Sequence, residues 1–158
     1  MIRLFHLKIK GKWPQDLRLK AHGFAVLRPY SFRDDPREEE QHRAQNATPA
    51  FNAGMYEEIA VFTEEFFPRA GLANCVQYLA RLRIGWSKGC PQGVTYAEGV
   101  TPTEIFPIRE TRAGDIIQYE DRFFVVGNKV LTAIKVPDMY AEKTAEEETE
   151  IDQSSPAL

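Results

Sequence analysis

Apolar and charged residues alternate at the start of the chain with a period of two, which predicts an amphipathic β-strand. This strand covers residues 2–10 and ends at Gly11. A second short apolar run, residues 24–27, lies between Gly23 and Pro29, and its length and boundaries favour another strand. The N-terminal part of the chain is therefore predicted to supply two strands to a sheet.

A long polar stretch, residues 31–54, follows these strands. Pro36 is followed by a run of charged residues, which predicts a short solvated helix with proline in its first turn. The segments 46–49 and 52–54 are rich in Asn, Ala, Pro and Gly and are predicted to be loop. A polar excursion of this length is typical of a segment that is mobile or organised by a partner.

The middle of the chain combines one predicted strand with one predicted helix. The strand covers residues 55–63. From Leu72 to about Arg83 apolar residues recur at helical spacing, so this segment is predicted to be the main helix of the domain. The stretch 89–93 contains Gly and Pro and is predicted to be a loop.

Three β-rich runs near the C-terminus are separated by short turns, which predicts an antiparallel meander. The runs cover residues 116–119, 122–126 and 129–136. An extended segment at 103–108 and a turn at 112–115 precede them. The meander is expected to end at a proline, residue 137 in the sequence.

The order of these elements predicts an α+β fold: a small mixed or mostly antiparallel sheet with a C-terminal β-meander and one main helix packed on it. Residues 1–140 form the single predicted domain, and a chain of 158 residues with 43% hydrophobic content can build such a core. Residues 141–158 hold six acids against one base and have no apolar face, so they are predicted to be an acidic disordered tail.

The charge of the chain is unevenly distributed. The formal net charge is −3, yet residues 1–33 hold eight Lys or Arg against one acid. No apolar run approaches the roughly 20 residues of a membrane span, and the N-terminus has no signal-peptide core. Cys75 and Cys90 have neither CxxC nor metal-ligand spacing, which favours reduced thiols. We therefore expect a soluble, cytoplasmic protein that does not bind a membrane.

Linear motifs for chemistry are absent from the sequence. The three histidines share no metal-ligand spacing, and no glycine-rich phosphate loop or Gly-x-Ser-x-Gly motif occurs. We expect no metal, no cofactor and no enzymatic activity on this basis. Asp115, which follows Gly114, is interpreted as a turn acid that accepts a backbone hydrogen bond.

The segment from Arg109 to Ile117 with its Gly114-Asp115 turn, followed by residues 121–126, resembles a pattern in small accessory proteins of phages and other mobile elements. Those proteins share an N-terminal strand, another strand, a short helix, a tryptophan and a Gly-Asp turn into a hairpin. Trp86 lies at the matching place, and the resemblance covers residues 56–134. It implies a mobile-element accessory protein. We therefore expect a non-enzymatic factor that binds a host protein or protein complex, such as a defence nuclease, and inhibits or redirects it as anti-CRISPR proteins do.

This hypothesis places partner binding at the end of the main helix and at the entry to the meander. The predicted contact residues are Arg81, Arg83, Trp86, Lys88, Arg109, Glu110 and Arg112. An exposed strand edge can also pair with a second copy of the chain, which would give a homodimer.

Two alternatives remain open. The first is a nucleic-acid-binding module, because strand-presented cations interleaved with aromatic residues can follow phosphates and stack bases. Its residues are Lys8, Lys10, Lys12, Arg18 and Lys20, and the acidic tail could fold over this basic surface and compete with phosphates. The second is an enzyme whose site is assembled only in three dimensions, from His6, His22, Glu57 or Cys90.

Overall fold

Two helices lie on one face of a six-stranded antiparallel sheet in the described part of this computed structural model. The description covers residues 2–29, 35–62, 94–100, 109, 111–128 and 130–141. The strands are β1 Ile2–Leu7, β2 Tyr56–Phe62, β3 Val94–Tyr96, β4 Ile116–Tyr119, β5 Arg122–Val126 and β6 Leu131–Ile134, and the helices are α1 Leu17–Leu27 and α2 Pro36–Asn52. A 3-10 turn spans Lys10–Lys12, and one helical turn spans residues 138–141.

The strand order is β3-β2-β1-β4-β5-β6, so the first strand of the chain lies in the centre of the sheet. Leu4 of β1 lies opposite Ala60 on one side and Ile117 on the other. The next residue, Phe5, lies opposite Glu58, so β2 carries one extra residue in a β-bulge. The expected α+β fold with a mostly antiparallel sheet and a C-terminal meander, β4 to β6, is confirmed.

Both faces of β1, the strand that pairs with β2 on one edge and β4 on the other, are buried. Leu4 packs with Ile117 on one face, and both are fully buried. Phe5 packs on the other face with Ile116 and with Val26 of α1. Burying each large apolar side chain stabilises the fold by about 1.5–3 kcal/mol. Alternate side chains of β1 therefore stabilise the sheet by packing into the apolar clusters on its two faces.

The prediction of a strand at 24–27 is wrong, because these residues form the last turn of α1. The carboxylate of Asp16 accepts a hydrogen bond from the backbone N–H of Arg18 at 2.8 Å and starts the helix. Gly23 was predicted to form a turn, but it lies inside α1 at a point where the helix backbone closely approaches Trp13. A Cβ there would lie 2.9 Å from ring atoms of Trp13. A run of four apolar residues is too short to show a period of two or of 3.6, so the sequence could not distinguish a strand from a buried helix here.

The prediction of a short helix followed by loop at 46–49 is also wrong, because α2 continues to Asn52. Pro36 lies in the first turn as predicted, and the Asp35 carboxylate caps the helix by accepting a hydrogen bond from Arg37 N–H at 2.9 Å. Pro49 lies in the last turn of α2, where it removes one N–H donor from the helix, and its own carbonyl accepts a hydrogen bond from Ala53 N–H at 3.0 Å. A proline near the end of a helix looks like a loop signal in the sequence.

The strands predicted at 2–10 and 55–63 are confirmed as β1 and β2, although β1 already ends at Leu7. The predicted main helix from Leu72, the loop at 89–93 and the extended segment at 103–108 lie outside the described residues. Among the described helices, none combines the length and apolar character that a membrane span requires.

Candidate functional site

Asp115 is the centre of a buried polar cluster beside the C-terminal end of β1, and its residue is 1% exposed. The Arg109 guanidinium donates to both of its carboxylate oxygens, at 2.7 and 2.6 Å. The backbone N–H groups of Leu7 and Arg112 donate to it at 2.9 and 2.7 Å. The bond from Arg112 confirms the prediction of a turn acid that accepts a backbone hydrogen bond. Charge-assisted bonds from a planar guanidinium are strong, so this carboxylate holds the segment before β4 against β1.

His6 lies beside Asp115 and is 2% exposed. Its Nε2 atom is 3.1 Å from Thr111 Oγ1 and 3.8 Å from Asp115 Oδ2. Burial lowers the pKa of His6 from 6.5 to about 4, and the attraction of Asp115 only partly opposes this, while Arg109 and Arg112 add to it. The imidazole is therefore neutral near neutral pH, and its contact with the carboxylate is not an ion pair there.

This cluster does not have the geometry of a catalytic triad. In a triad the carboxylate bonds the ring nitrogen opposite the one that faces the hydroxyl group. Here Thr111 and Asp115 both approach the Nε2 side of His6. The carboxylate is also neutralised by Arg109. The cluster therefore fits a structural role, which is to fix the end of β1.

The described residues of the enzyme hypothesis lie in two places, His6 with Glu57 on the sheet and His22 on α1. His6 follows Leu4 by two positions in β1 and so faces away from α1 and α2. His22 lies on α1, with Nδ1 2.8 Å from Asn46 Oδ1 on α2. Glu57 is the cross-strand neighbour of His6 but its side chain is exposed. Cys90 lies outside the described residues, and in the described part no group of three or more His, Cys, Asp or Glu is placed to hold a metal ion.

Arg43 forms a second buried ionic cluster, which joins α2 to two other elements. Its residue is 2% exposed, and Nε donates to Val26 O in α1 at 3.0 Å. Its guanidinium also donates to Glu40 at 2.6 Å, and the other oxygen of Glu40 accepts from Asn128 N–H at 3.0 Å. Arg43 therefore clamps α1, α2 and the β5–β6 turn together.

Two of the seven residues predicted for partner binding, Arg109 and Arg112, lie in the described part of the chain. Arg109 bonds Asp115 and Leu7 O, so its guanidinium serves the buried cluster. The Arg112 residue is exposed. Arg81, Arg83, Trp86, Lys88 and Glu110 lie outside the described residues, so this patch stays a prediction.

The five cations of the nucleic-acid hypothesis lie between the end of β1 and the first turn of α1, and three exposed apolar side chains lie in the same part of the chain. We call this set the basic–apolar surface: Lys8, Ile9, Lys10, Lys12, Leu17, Arg18, Lys20 and Phe24. Ile9, Leu17 and Phe24 are 72%, 81% and 47% exposed. Leu17 and Phe24 are two helical turns apart, so they share one face of α1.

Short-range contacts hold the basic–apolar surface in shape. Lys8 N–H donates to Met55 O at 2.8 Å, and the indole N–H of Trp13 donates to Lys8 O at 2.8 Å. The buried ring of Trp13 lies edge-on to Phe24, with 5.2 Å between the ring centroids. The Lys10 ammonium group lies 5.1 Å from the Phe24 ring centroid, which is a cation–π distance. Phe24 is therefore held between an indole and a cation.

The basic–apolar surface keeps its positive charge. Asp16 is the one acid in residues 2–29, and its carboxylate is engaged in capping α1. Within the described residues, none of the five cations of this surface forms an ion pair. Residues 41–56, which pack beside α1 and β1, contain no acid either.

Ile9 and Leu17 were not among the predicted site residues. The period-two pattern predicted that Ile9 would continue the buried face of β1, but the strand ends two residues earlier. Leu17 looks like an ordinary core residue in the sequence, and only the start of α1 at this position exposes it.

No family model matches the chain, and no match is found among the curated proteins or the solved structures. Because the two buried clusters have structural roles, the basic–apolar surface is the feature of the described residues that bears on function.

Proposed function

We propose that the protein is a non-enzymatic binding factor that contacts an acidic protein partner through the basic–apolar surface. The observation that carries this proposal is the combination of three exposed apolar side chains with five cations that form no ion pair in the described residues. Apolar patches rimmed by polar or charged residues are typical of protein interaction sites. The resemblance to accessory proteins of mobile elements makes a host protein complex, such as a defence nuclease, the first class of partner to test.

Ile9 and Leu17 favour a protein partner over a nucleic acid. Their aliphatic side chains have no aromatic face on which a base could stack. Burying each of them in an apolar partner surface would contribute about 1.5–3 kcal/mol. The surrounding cations would attract and orient an acidic partner, because complementary charge raises the association rate and selects the partner.

Phe24 and Lys10 support single-stranded nucleic acid as a second candidate. The ring of Phe24 is 47% exposed, and a base that displaced the Lys10 ammonium group from its face would contribute about 1–3 kcal/mol by stacking. The five cations would then contact phosphates. This candidate predicts affinity that falls steeply with salt, because phosphate contacts release counterions.

Two variants separate the candidates. Ile9→Ser/Leu17→Ser removes apolar surface and keeps every charge, whereas Lys10→Gln/Lys12→Gln/Arg18→Gln removes three cations and keeps the apolar side chains. The control is Arg37→Gln/Arg122→Gln/Lys135→Gln, which removes three exposed cations elsewhere. A partner is captured from nuclease-treated host lysate with the wild-type chain, identified and purified, and its affinity for all four proteins is measured.

The proposal predicts that the apolar variant binds the purified partner about a hundredfold more weakly, which corresponds to about 3 kcal/mol. The cation variant should also bind more weakly, and the control should bind like the wild type. If the apolar variant bound the partner normally, the proposed surface would be wrong. Binding of an oligonucleotide alone, strongly dependent on salt and insensitive to the apolar variant, would instead establish the second candidate.

A further inference from the structure

The last described residues, 138–141, lie beside the C-terminal end of α2. In the helical turn at 138–141, Asp138 N–H donates to Asn52 Oδ1 at 2.9 Å. The ring of Tyr140 lies 4.9 Å from the Phe123 ring and 6.2 Å from the Phe51 ring. The last described residue, at position 141, is therefore anchored against the end of α2.

The basic–apolar surface is attached to the same end of α2. Met55 follows this helix, and its N–H donates to Ala50 O at 3.1 Å. Met55 O in turn accepts the hydrogen bond from Lys8 N–H at 2.8 Å. A Cβ on Gly23 would touch both Met55 Sδ and the Trp13 ring, so Met55 also lies against α1. The exit of the chain and the basic–apolar surface are thus linked through one short connection between α2 and β2.

Residues 142–158 have the charge and the length to reach this surface. They carry six acids and one base, and apolar Ile151 lies among the acids. At about 3.3 Å per extended residue the segment spans up to about 55 Å, whereas a domain of this size has a radius of gyration of only about 14 Å. An acidic segment with an apolar residue complements a surface that combines five cations with exposed apolar side chains.

We infer that the acidic segment 142–158 binds the basic–apolar surface of its own chain and competes there with external partners. Tethering gives the segment an effective concentration of about 1 mM. An intrinsic dissociation constant of about 0.1 mM would then weaken an external ligand about tenfold, by simple competition. The competition with a partner rests on the proposed function, but the contact within the chain can be measured with no partner present.

Two full-length variants with the same net charge test this inference. The tail variant is Glu146→Gln/Glu147→Gln/Glu148→Gln, and the control is Glu57→Gln/Glu98→Gln/Asp121→Asn, which neutralises three exposed acids on the folded part. Amide chemical shifts of residues 8–24 are recorded by NMR at about 20 mM and about 500 mM salt, because a Debye length of about 4 Å at the higher concentration should release an electrostatic contact. Binding of a fluorescent polyglutamate peptide is measured in parallel at the lower salt concentration.

The inference predicts that the tail variant shifts the amides of residues 8–24 in the same direction as high salt does, and that the control does not. Polyglutamate should bind the tail variant about tenfold more tightly than the wild type. Equal shifts in both variants, or none in either, would overturn the inference. Shifts that depend on protein concentration would also overturn it, because they would mean that the segment binds another molecule. Shifts confined to the tail variant, together with a failure to capture any host protein, would support the internal contact and remove the proposed function.

Discussion

Acidification should destabilise the fold through His6 at moderately acidic pH. This residue is 2% exposed, and Thr111 Oγ1 and the Asp115 carboxylate both lie near its Nε2 atom. Desolvation disfavours the charged imidazolium more than the neighbouring carboxylate favours it, so the pKa of His6 in the folded protein is about 4. The folded state therefore excludes a proton that the unfolded chain binds readily.

The sign and the size of the effect follow from linkage. Between the unfolded pKa of 6.5 and the folded pKa of about 4 for His6, the unfolded state binds more protons, so the free energy of unfolding decreases as pH falls. At about 1.4 kcal/mol for each pKa unit, the loss from His6 is about 3 kcal/mol. Stability from this source is fully present above pH 6.5 and is lost progressively toward pH 4. The burial of His6 leaves little solvent to screen the effect.

Urea unfolding of the wild type and of His6→Asn, measured at intervals from about pH 7 to about pH 4, isolates the contribution of His6 because other titrating groups contribute equally to both proteins. Asparagine cannot titrate, so the stability advantage of the wild type should shrink by about 3 kcal/mol across this range. His22→Asn, at a half-buried position that bonds Asn46, provides the comparison for loss of an imidazole as such. A stability difference between the wild type and His6→Asn that stays constant over the whole range would refute the reasoning.

Two further substitutions test the structural role of the cluster and its turn, each by urea unfolding at neutral pH. Asp115→Asn should lower the free energy of unfolding by about 1.5–3 kcal/mol, because it removes the charge that strengthens the hydrogen bonds of a 1% exposed carboxylate, while the 33% exposed Arg109 side chain keeps contact with water. A loss below about 1 kcal/mol would contradict this role. Gly114→Ala should lower the free energy of unfolding more than Gly99→Ala does. Both glycines have positive φ, 101° and 81°, so both substitutions strain the backbone. Only at Gly114 would the new Cβ also meet a neighbour, Val26 Cγ1 at 3.1 Å. Equal losses would show that this contact relaxes freely.

Strands β1 and β2 and the meander strands were predictable because each is recorded locally in the sequence, whereas the three-residue strand β3 was not predicted. β1 and the meander strands show apolar runs of strand length between turn residues, and these signals are independent of the rest of the fold. Helix α1 was missed and the length of α2 was underestimated, for opposite reasons. The apolar run at 24–27 has no helical period of its own, while α2 carries so many polar residues that its buried positions, among them Arg43 and Ala47, were hidden. In both cases tertiary packing decided the structure.

The basic–apolar surface and the buried cluster around Asp115 also differ in how far the sequence could predict them. The cations of the basic–apolar surface were predictable because they are neighbours in the sequence, whereas the exposure of Ile9 depends on where β1 ends. The buried cluster could not be predicted, because Leu7 and Asp115 are 108 positions apart and meet only through the pairing of β1 with β4. The local part of that cluster, the turn acid, was predictable from Gly114 and Asp115 alone.

The net charge of −3 conceals how the charges are used. Inside the fold, Asp115 and Glu40 neutralise Arg109 and Arg43, so these charges contribute to stability and not to the field outside. The cations of the basic–apolar surface have no such partner in the described residues, while the acids of 142–158 are concentrated in one segment. An anionic molecule within a Debye length, about 10 Å at 0.1 M salt, responds to the local charge and not to the sum. It should therefore be attracted to residues 8–20 although the chain as a whole is acidic, and the attraction should strengthen when the acids of 142–158 are neutralised.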